Sequence, residues 1–438
     1  MADADPVLLR SALAAPLYEQ RGRLVCALGT TLRVRGISGR IGDTVTIADR
    51  NGGGELPAEI IGFDNGTVLL TPLGELRGLA SDAEVILRDA AGSVPCNPSL
   101  LGRVIDAHAR PLDNRGPIAP LPARSLSAAP PNPMEREPID TVLVTGVRAI
   151  DGLATIGTGQ RMGIFAAAGG GKSTLLAMLA RQAEADAIVI GLIGERGREV
   201  REFVEDALGP EGLARSVVVV ATSDRPAMER VRAAHAATAI AEGFRAEGKH
   251  VLLLMDSVTR YARALREIGL AAGEPAVRRG FPPSVFAELP RLFERTGPDA
   301  SGAITALYTV LLEGEEGDPV GEEVRSLLDG HIHLSRELGA RGHYPAIDVG
   351  HSQSRLFRRL AGAGQVASAE AARAMLAKLA DIELLLQMGE YQPGQDLLAD
   401  AALAQRGALE QFLRQRPDEG SDFGSTVARL RAIGETVL

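Results

Sequence analysis

"FAAAGGGKSTLLAML", residues 165–179, is the stretch that decides the fold of this chain. It is a glycine-rich turn between an apolar run, "RMGIFA", and a helical run, "KSTLLAMLARQAEA". A phosphate-binding loop needs this order of strand, loop and helix. Glycines reach φ > 0 cheaply, their N–H groups converge on an anion, and a helix N-terminus is positive. The match to G-x-x-x-x-G-K-[ST] is partial, because Ala166 stands where the first glycine belongs, followed by Ala167, Ala168, Gly169, Gly170, Gly171, Lys172 and Ser173. The amides from Gly169 to Ser173 are expected to bind phosphate, with Lys172 at the β- and γ-phosphates, the Ser173 hydroxyl on Mg2+ and Thr174 completing the first helical turn. A left-handed alanine costs about 1–2 kcal/mol, so Ala167 and Ala168 are expected in ordinary β or αR space.

The lysine is notable against its background. Of 47 Lys and Arg residues only Lys172, Lys249 and Lys378 are lysines. A compact ammonium at a phosphate is not replaced by a wider, planar guanidinium. The formal net charge of −9, the absence of Trp and 3% aromatics disfavour a basic, stacking-rich surface for nucleic acid. With 438 residues, two or three domains are expected. No apolar run reaches the roughly 18 residues a membrane span needs, and the N-terminus carries no secretory pattern, so a cytoplasmic protein is expected. Cys26 and Cys96 are too few for a disulfide framework or a zinc site and are expected as buried free thiols.

Working outward, residues 22–95 alternate β-rich runs with Gly and Asn-Gly turns, which predicts a small β-barrel or sandwich. Leu9, Leu13 and Leu17 predict one amphipathic helix within an N-terminal segment, residues 1–21. Residues 117–138, rich in Pro, Ala and Ser, read as a surface connector. After it, "AIVIGLI", "SVVVVAT", "VLLLMD" and "AITALYTVLL" are near-continuously apolar, as strands buried on both faces are. The expected fold is therefore α/β, a parallel-sheet core over residues 96–359, followed by a helical domain over 360–438 in which "GEYQPGQD" separates two helices.

Two acids follow from the same pattern. Asp256 ends "VLLLMD", the placement of a carboxylate that holds Mg2+ through water. Glu195, with Arg196, ends the strand of "GLIGERGREV" and is placed to orient an attacking water. His331 and His333 share a strand face, but no further metal ligand is evident and packing is the expected role.

At this point the chain resembles the export ATPases of bacterial type III secretion, flagellar and virulence-associated, relatives of the catalytic subunits of rotary F- and V-type ATPases. The resemblance runs through "GRVIDAHARPLD" (102–113), "TGVRAIDGLATIGTGQRMGIF" (145–165), "GERGREVREFVED", "DSVTRYARALREIGLAAGEP", "GFPPSVFAELPRLFERTG", "LLDGHIHLSRELGARGHYPAIDV" and "GEYQPGQD". Ala166 looks like this family's own form of the loop. The resemblance implies a RecA-like P-loop core behind an N-terminal β-barrel, and a homohexamer that hydrolyses ATP at subunit interfaces. On this chain it implies that Lys172 and Ser173 bind phosphate and Mg2+, Glu195 activates water with Arg196 beside it, Asp256 is the second acid, Arg355 is an arginine finger given to the neighbouring subunit, and Tyr344 packs on adenine. The implied partners are a peripheral stalk protein on the N-terminal helix, a central stalk, export-gate components and chaperone–cargo complexes, at the cytoplasmic face of the inner membrane. Three stretches depart from the family: Ala167-Ala168, a shorter "EGEEGDPVGEEV" (313–324), and "DVGHSQSR" before Arg355.

The virulence-type (injectisome) branch is the leading reading, because "LLLQMGEYQPGQDLLAD" looks more like it than like the flagellar branch. A rotary ATP synthase subunit would carry an acidic rotor-facing segment that this tail lacks. A hexameric RNA or DNA motor on the same core is set against the acidic balance and scarce aromatics.

Overall fold

The computed structural model describes residues 19–29, 31–48, 55–88, 92–120, 122–167, 169–312 and 318–435. The helix expected over 7–17 lies outside these, as do Ala168 and residues 313–317 of the departing loop.

Strand β3, Thr44–Ala48, buries Val45 and Ile47 and leaves the threonines and Ala48 half-buried, the period-2 pattern of a sheet with one face on a core. The same pattern closes a barrel of six strands, β1 (Arg21–Leu28), β2 (Thr31–Arg35), β3, β4 (Glu55–Asp64), β5 (Thr67–Pro72) and β6 (Glu84–Leu87), in the order β1-β2-β5-β4-β3-β6. Leu32, Val34, Val45, Ile47, Ile60, Leu70 and Val85 fill it. Ile268–Glu274 counts with the described residues up to Gly92 as one compact unit, and the remainder of the chain forms a second. Cys26 is half-buried on β1, exposed more than expected; Cys96 is buried against the Ala239 carbonyl and its thiol is pushed up to about 12 by burial.

The second unit is built on a nine-stranded sheet. Its path runs β14 (Ile347–Ser354), β13 (Gly330–Leu334), β8 (Arg161–Ala166), β12 (Ala303–Leu311), β11 (His250–Asp256), β9 (Ala187–Ile193), β10 (Ser216–Ala221) and β7 (Val104–Asp106), and Gly297–Pro298 pairs on β12. All pairings along the path are parallel except β13 with β14. Every residue of β9 and β10 is buried, which is why these runs carry no polar alternation. The 117–138 connector is not free of structure: Ala123–Ser125 pairs antiparallel with Ser93–Pro95.

Helix α1 (Arg148–Leu153) binds the tail to the sheet. The buried Arg148 donates to the Phe412, Gln411 and Arg414 carbonyls at the end of α7 (Leu397–Leu413) and pairs with Glu419. A cation at a helix C-terminus satisfies orphan carbonyls and meets the negative end of the dipole. Helices α6 (Ala363–Met388), α7 and α8 (Phe423–Gly434) place Met375, Leu409, Phe412 and Leu430 in the same apolar core as Ile164, Leu176 and Leu254. "GEYQPGQD" falls between α6 and α7, where Gly389 ends one helix at φ 71° and Asp396 caps the next through the Ala399 N–H.

Candidate active site

Parallel strands present their carboxyl ends on one side of a sheet, and ligands of α/β folds bind there. In this sheet β8, β11 and β9 deliver to that side the glycine loop, Asp256 and Glu195 respectively. Helix α2 (Lys172–Gln182) starts at Gly171, at φ 80°, and Gly169 is also left-handed at φ 79°. Among the described residues of the loop the positive-φ positions thus fall on glycines, and Ala167 keeps an ordinary conformation, as its methyl requires.

Lys172 is where the pieces meet. Its Nζ lies 2.5 Å from Asp256 Oδ1 and 3.1 Å from Glu195 Oε1, with both carboxylates more than nine-tenths buried. Thr309 Oγ1 donates to Asp256 Oδ1 at 2.8 Å. Arg260, in the first turn of α4 (Val258–Ala271), sits 2.9 Å from Glu195 Oε2 and also donates to the Gly194 carbonyl. Burial, then the negative charge of Asp256, pushes the Glu195 carboxyl up to about 7 against the pull of Lys172 and Arg260. A carboxylate titrating near neutrality is suited to accept a proton.

Of the residues named from the sequence, Gly169, Gly170, Gly171, Lys172, Ser173, Thr174, Glu195 and Asp256 come to this edge. Ser173 is exposed in the first turn of α2 and Thr174 half-buried beside it. Tyr344 joins them: a methyl built on Gly171 would lie 3.5 Å from its ring, and the ring is 43% exposed, so it is not a core tyrosine. Arg196 does not join. Gly194, at φ 74°, turns the chain so that Glu195 faces inward while Arg196 projects outward, 3.5 Å from Glu199. The arginine that touches Glu195 is Arg260, whose side chain packs where a Gly194 Cβ would be, 2.9 Å away. Its signal in the sequence was its place four residues after Asp256. Thr309 was legible as the one aliphatic hydroxyl within "ALYTVLL". His331 stands edge-on to Phe165 at 5.9 Å, a packing contact.

Arg355 is at the opposite end of the sheet. Because β14 runs antiparallel, Ser354 pairs with Gly330 at the start of β13, whereas Ile347 pairs with Leu334, the neighbour of Ala166 at the loop. Four residues of strand, about 13 Å, separate those levels. The Arg355 side chain is exposed, its guanidinium 3.5 Å from the Arg325 carbonyl and, among the described residues, without a carboxylate partner.

A parallel sheet with a glycine loop, a lysine and two strand-end acids on its carboxyl side defines a P-loop nucleoside triphosphatase. Residues 146–354 match the ATP synthase alpha/beta family, nucleotide-binding domain, and residues 361–432 match the T3SS EscN ATPase C-terminal domain. A type 3 secretion system ATPase of Sinorhizobium fredii is 52% identical over 408 residues, 93% of this chain and 90% of that protein. The structure of the assembled ATPase EscN from the enteropathogenic E. coli type III secretion system superposes with a TM-score of 0.89 at 46% identity, covering 94% of this chain and all of that one. EscN in complex with its central stalk EscO gives 0.88 at the same identity and coverage. The chain belongs to the type III secretion system ATPases, and its chemistry is the binding and hydrolysis of ATP.

Proposed function

We propose that six copies of this chain form a ring that hydrolyses ATP at shared interfaces, and that turnover releases chaperones from exported proteins and helps unfold them. The placement of Arg355 carries this reading. It lies on the far end of an antiparallel strand from the chain's own loop, so its exposed guanidinium suits the site of a second copy. Phosphoryl transfer has little covalent chemistry for the protein to perform; positioning and charge do most of it, and an arginine supplied in trans is worth about 10³-fold or more.

Within one copy, Lys172 is held by two carboxylates, and a triphosphate competes for the same ammonium. Glu195 then orients water and takes its proton, with Arg260 fixing its second oxygen. Tyr344 offers an open aromatic face beside Gly171 for the base. Mg2+, which takes hard oxygen donors and keeps several waters, fits the Ser173 hydroxyl and the Asp256 carboxylate, and the ammonium already against Asp256 marks a position that favours positive charge. When bound, Mg2+ supplies charge neutralisation at the phosphoryl oxygens.

EscN is described both assembled and with a central stalk, which supports a stalk partner for this chain. The peripheral stalk, export gate and chaperone–cargo complexes, and a place at the cytoplasmic face of the inner membrane, follow by family. No described helix is long and apolar enough to cross a membrane. The test is complementation: mix Glu195→Gln with Arg355→Ala. In mixed rings, some interfaces combine an intact Glu195 with an intact Arg355 and should recover turnover that neither variant has alone. Mixed rings confirmed by mass yet without activity would refute the shared site.

A further inference from the structure

We infer that Thr309 is a positioning residue for this ATPase: its hydroxyl fixes the carboxylate of Asp256 in the orientation that serves the metal. This rests on the reading of Asp256 as the Mg2+-holding acid. Thr309 lies on β12, the strand between the loop strand β8 and the acid strand β11, opposite Ile164 in register, with Met255 paired to its neighbour Tyr308. It is fully buried, where an unsatisfied hydroxyl is unfavourable. Two acceptors are within reach, the Met255 carbonyl at 3.3 Å and Asp256 Oδ1 at 2.8 Å. A hydroxyl has one proton to give, and the shorter bond, to a carboxylate, is the charge-assisted one.

The consequence lies in which oxygen is used. Thr309 and Lys172 both converge on Oδ1, one from the sheet and one from the loop. Lys172 is the partner that phosphate competes for, whereas Thr309, bound into the central strand, is not. When the ammonium turns to nucleotide, the hydroxyl remains to hold the plane of the carboxylate. Groups that orient a metal-binding carboxylate in this way are worth about 10- to 100-fold in affinity or activity.

The experiment compares Thr309→Val, Thr309→Ser and Asp256→Asn in the full chain. Methylanthraniloyl-ADP fluorescence is measured first without metal and then through a MgCl2 titration. Thr309→Val should bind the labelled nucleotide as the parent does without Mg2+, but need about tenfold more Mg2+ for half-saturation; Thr309→Ser should stay within about twofold of the parent. Parental Mg2+ affinity in Thr309→Val overturns the inference. Equal weakening in Thr309→Ser overturns it too, because packing and not the hydroxyl would be responsible. If Asp256→Asn itself keeps parental Mg2+ affinity, the reading of Asp256 fails, a result distinct from the failure of Thr309.

Discussion

The two ends of the second unit's sheet carry charge in opposite ways. At the carboxyl end, Lys172, Glu195, Asp256 and Arg260 form a closed set in which both acids are buried and both cations engaged. At the other end Arg355 is exposed beside a backbone carbonyl. A closed set is complete within one chain and can be read from one chain. An open arginine has meaning only when something else supplies the phosphate. On the proposed reading the contrast is a division of labour: binding and water activation would belong to the copy that holds the nucleotide, and transition-state charge would come from another.

The hardest blow to that contrast is Arg355→Ala. It should lower turnover of assembled protein by about 10³-fold or more while leaving nucleotide affinity of the unassembled chain unchanged, as read by steady-state rate beside labelled-nucleotide titration. An unchanged rate in confirmed rings would make the open end irrelevant to chemistry. Glu195→Gln attacks the closed end and should cost about 10²- to 10⁴-fold in kcat with binding retained, since the glutamine keeps the shape and loses the base. Tyr344→Ala should weaken ATP binding by about three- to tenfold through the lost aromatic face, measured by the same titration, with little change in kcat.

A finer distinction comes from pH. With the Glu195 carboxyl up at about 7 in the folded chain, kcat/KM should rise with pH and level off above that value, because the base works deprotonated. Arg260→Gln removes a charge that lowers the carboxyl and should move the limb to higher pH. Stability has the opposite sign. A folded-state value above the ordinary 4.5 means the folded chain is favoured at low pH and loses that advantage as pH climbs through about 7, a slope Glu195→Gln should flatten in denaturant melts. A pH profile in which Arg260→Gln superposes on the parent would separate Arg260 from Glu195.

Much of the closed end was legible in the sequence because each of its parts terminates an apolar run: "GIFA" before the loop, "GLIGE" before Glu195, "VLLLMD" at Asp256. Strand ends are cheap to find, and a parallel sheet brings them to one side without further information. What sequence proximity could not give was direction. Arg196 is adjacent to Glu195 in the chain and faces away from it, while Arg260, 65 positions on, makes the contact because β9 and β11 are neighbours. Thr309 became meaningful only once β12 was known to lie between β8 and β11. Arg355 was reached through family resemblance alone. Its separation from the loop depends on β14 reversing direction, and no residue in "DVGHSQSR" announces that reversal.

The outer borders of this sheet have a bearing on the life of the chain before assembly. A bare strand border invites pairing with any other extended chain, and such pairing begins fibres and precipitates. Here one border, β7, has only three residues, and the other, β14, is interrupted by an irregular register opposite His331 and His333 and shows Gly350, His351 and Gln353 to solvent. Short, kinked and polar borders are poor templates. The shape of these borders therefore disfavours strand-to-strand pairing between copies, and leaves association to other surfaces of the chain.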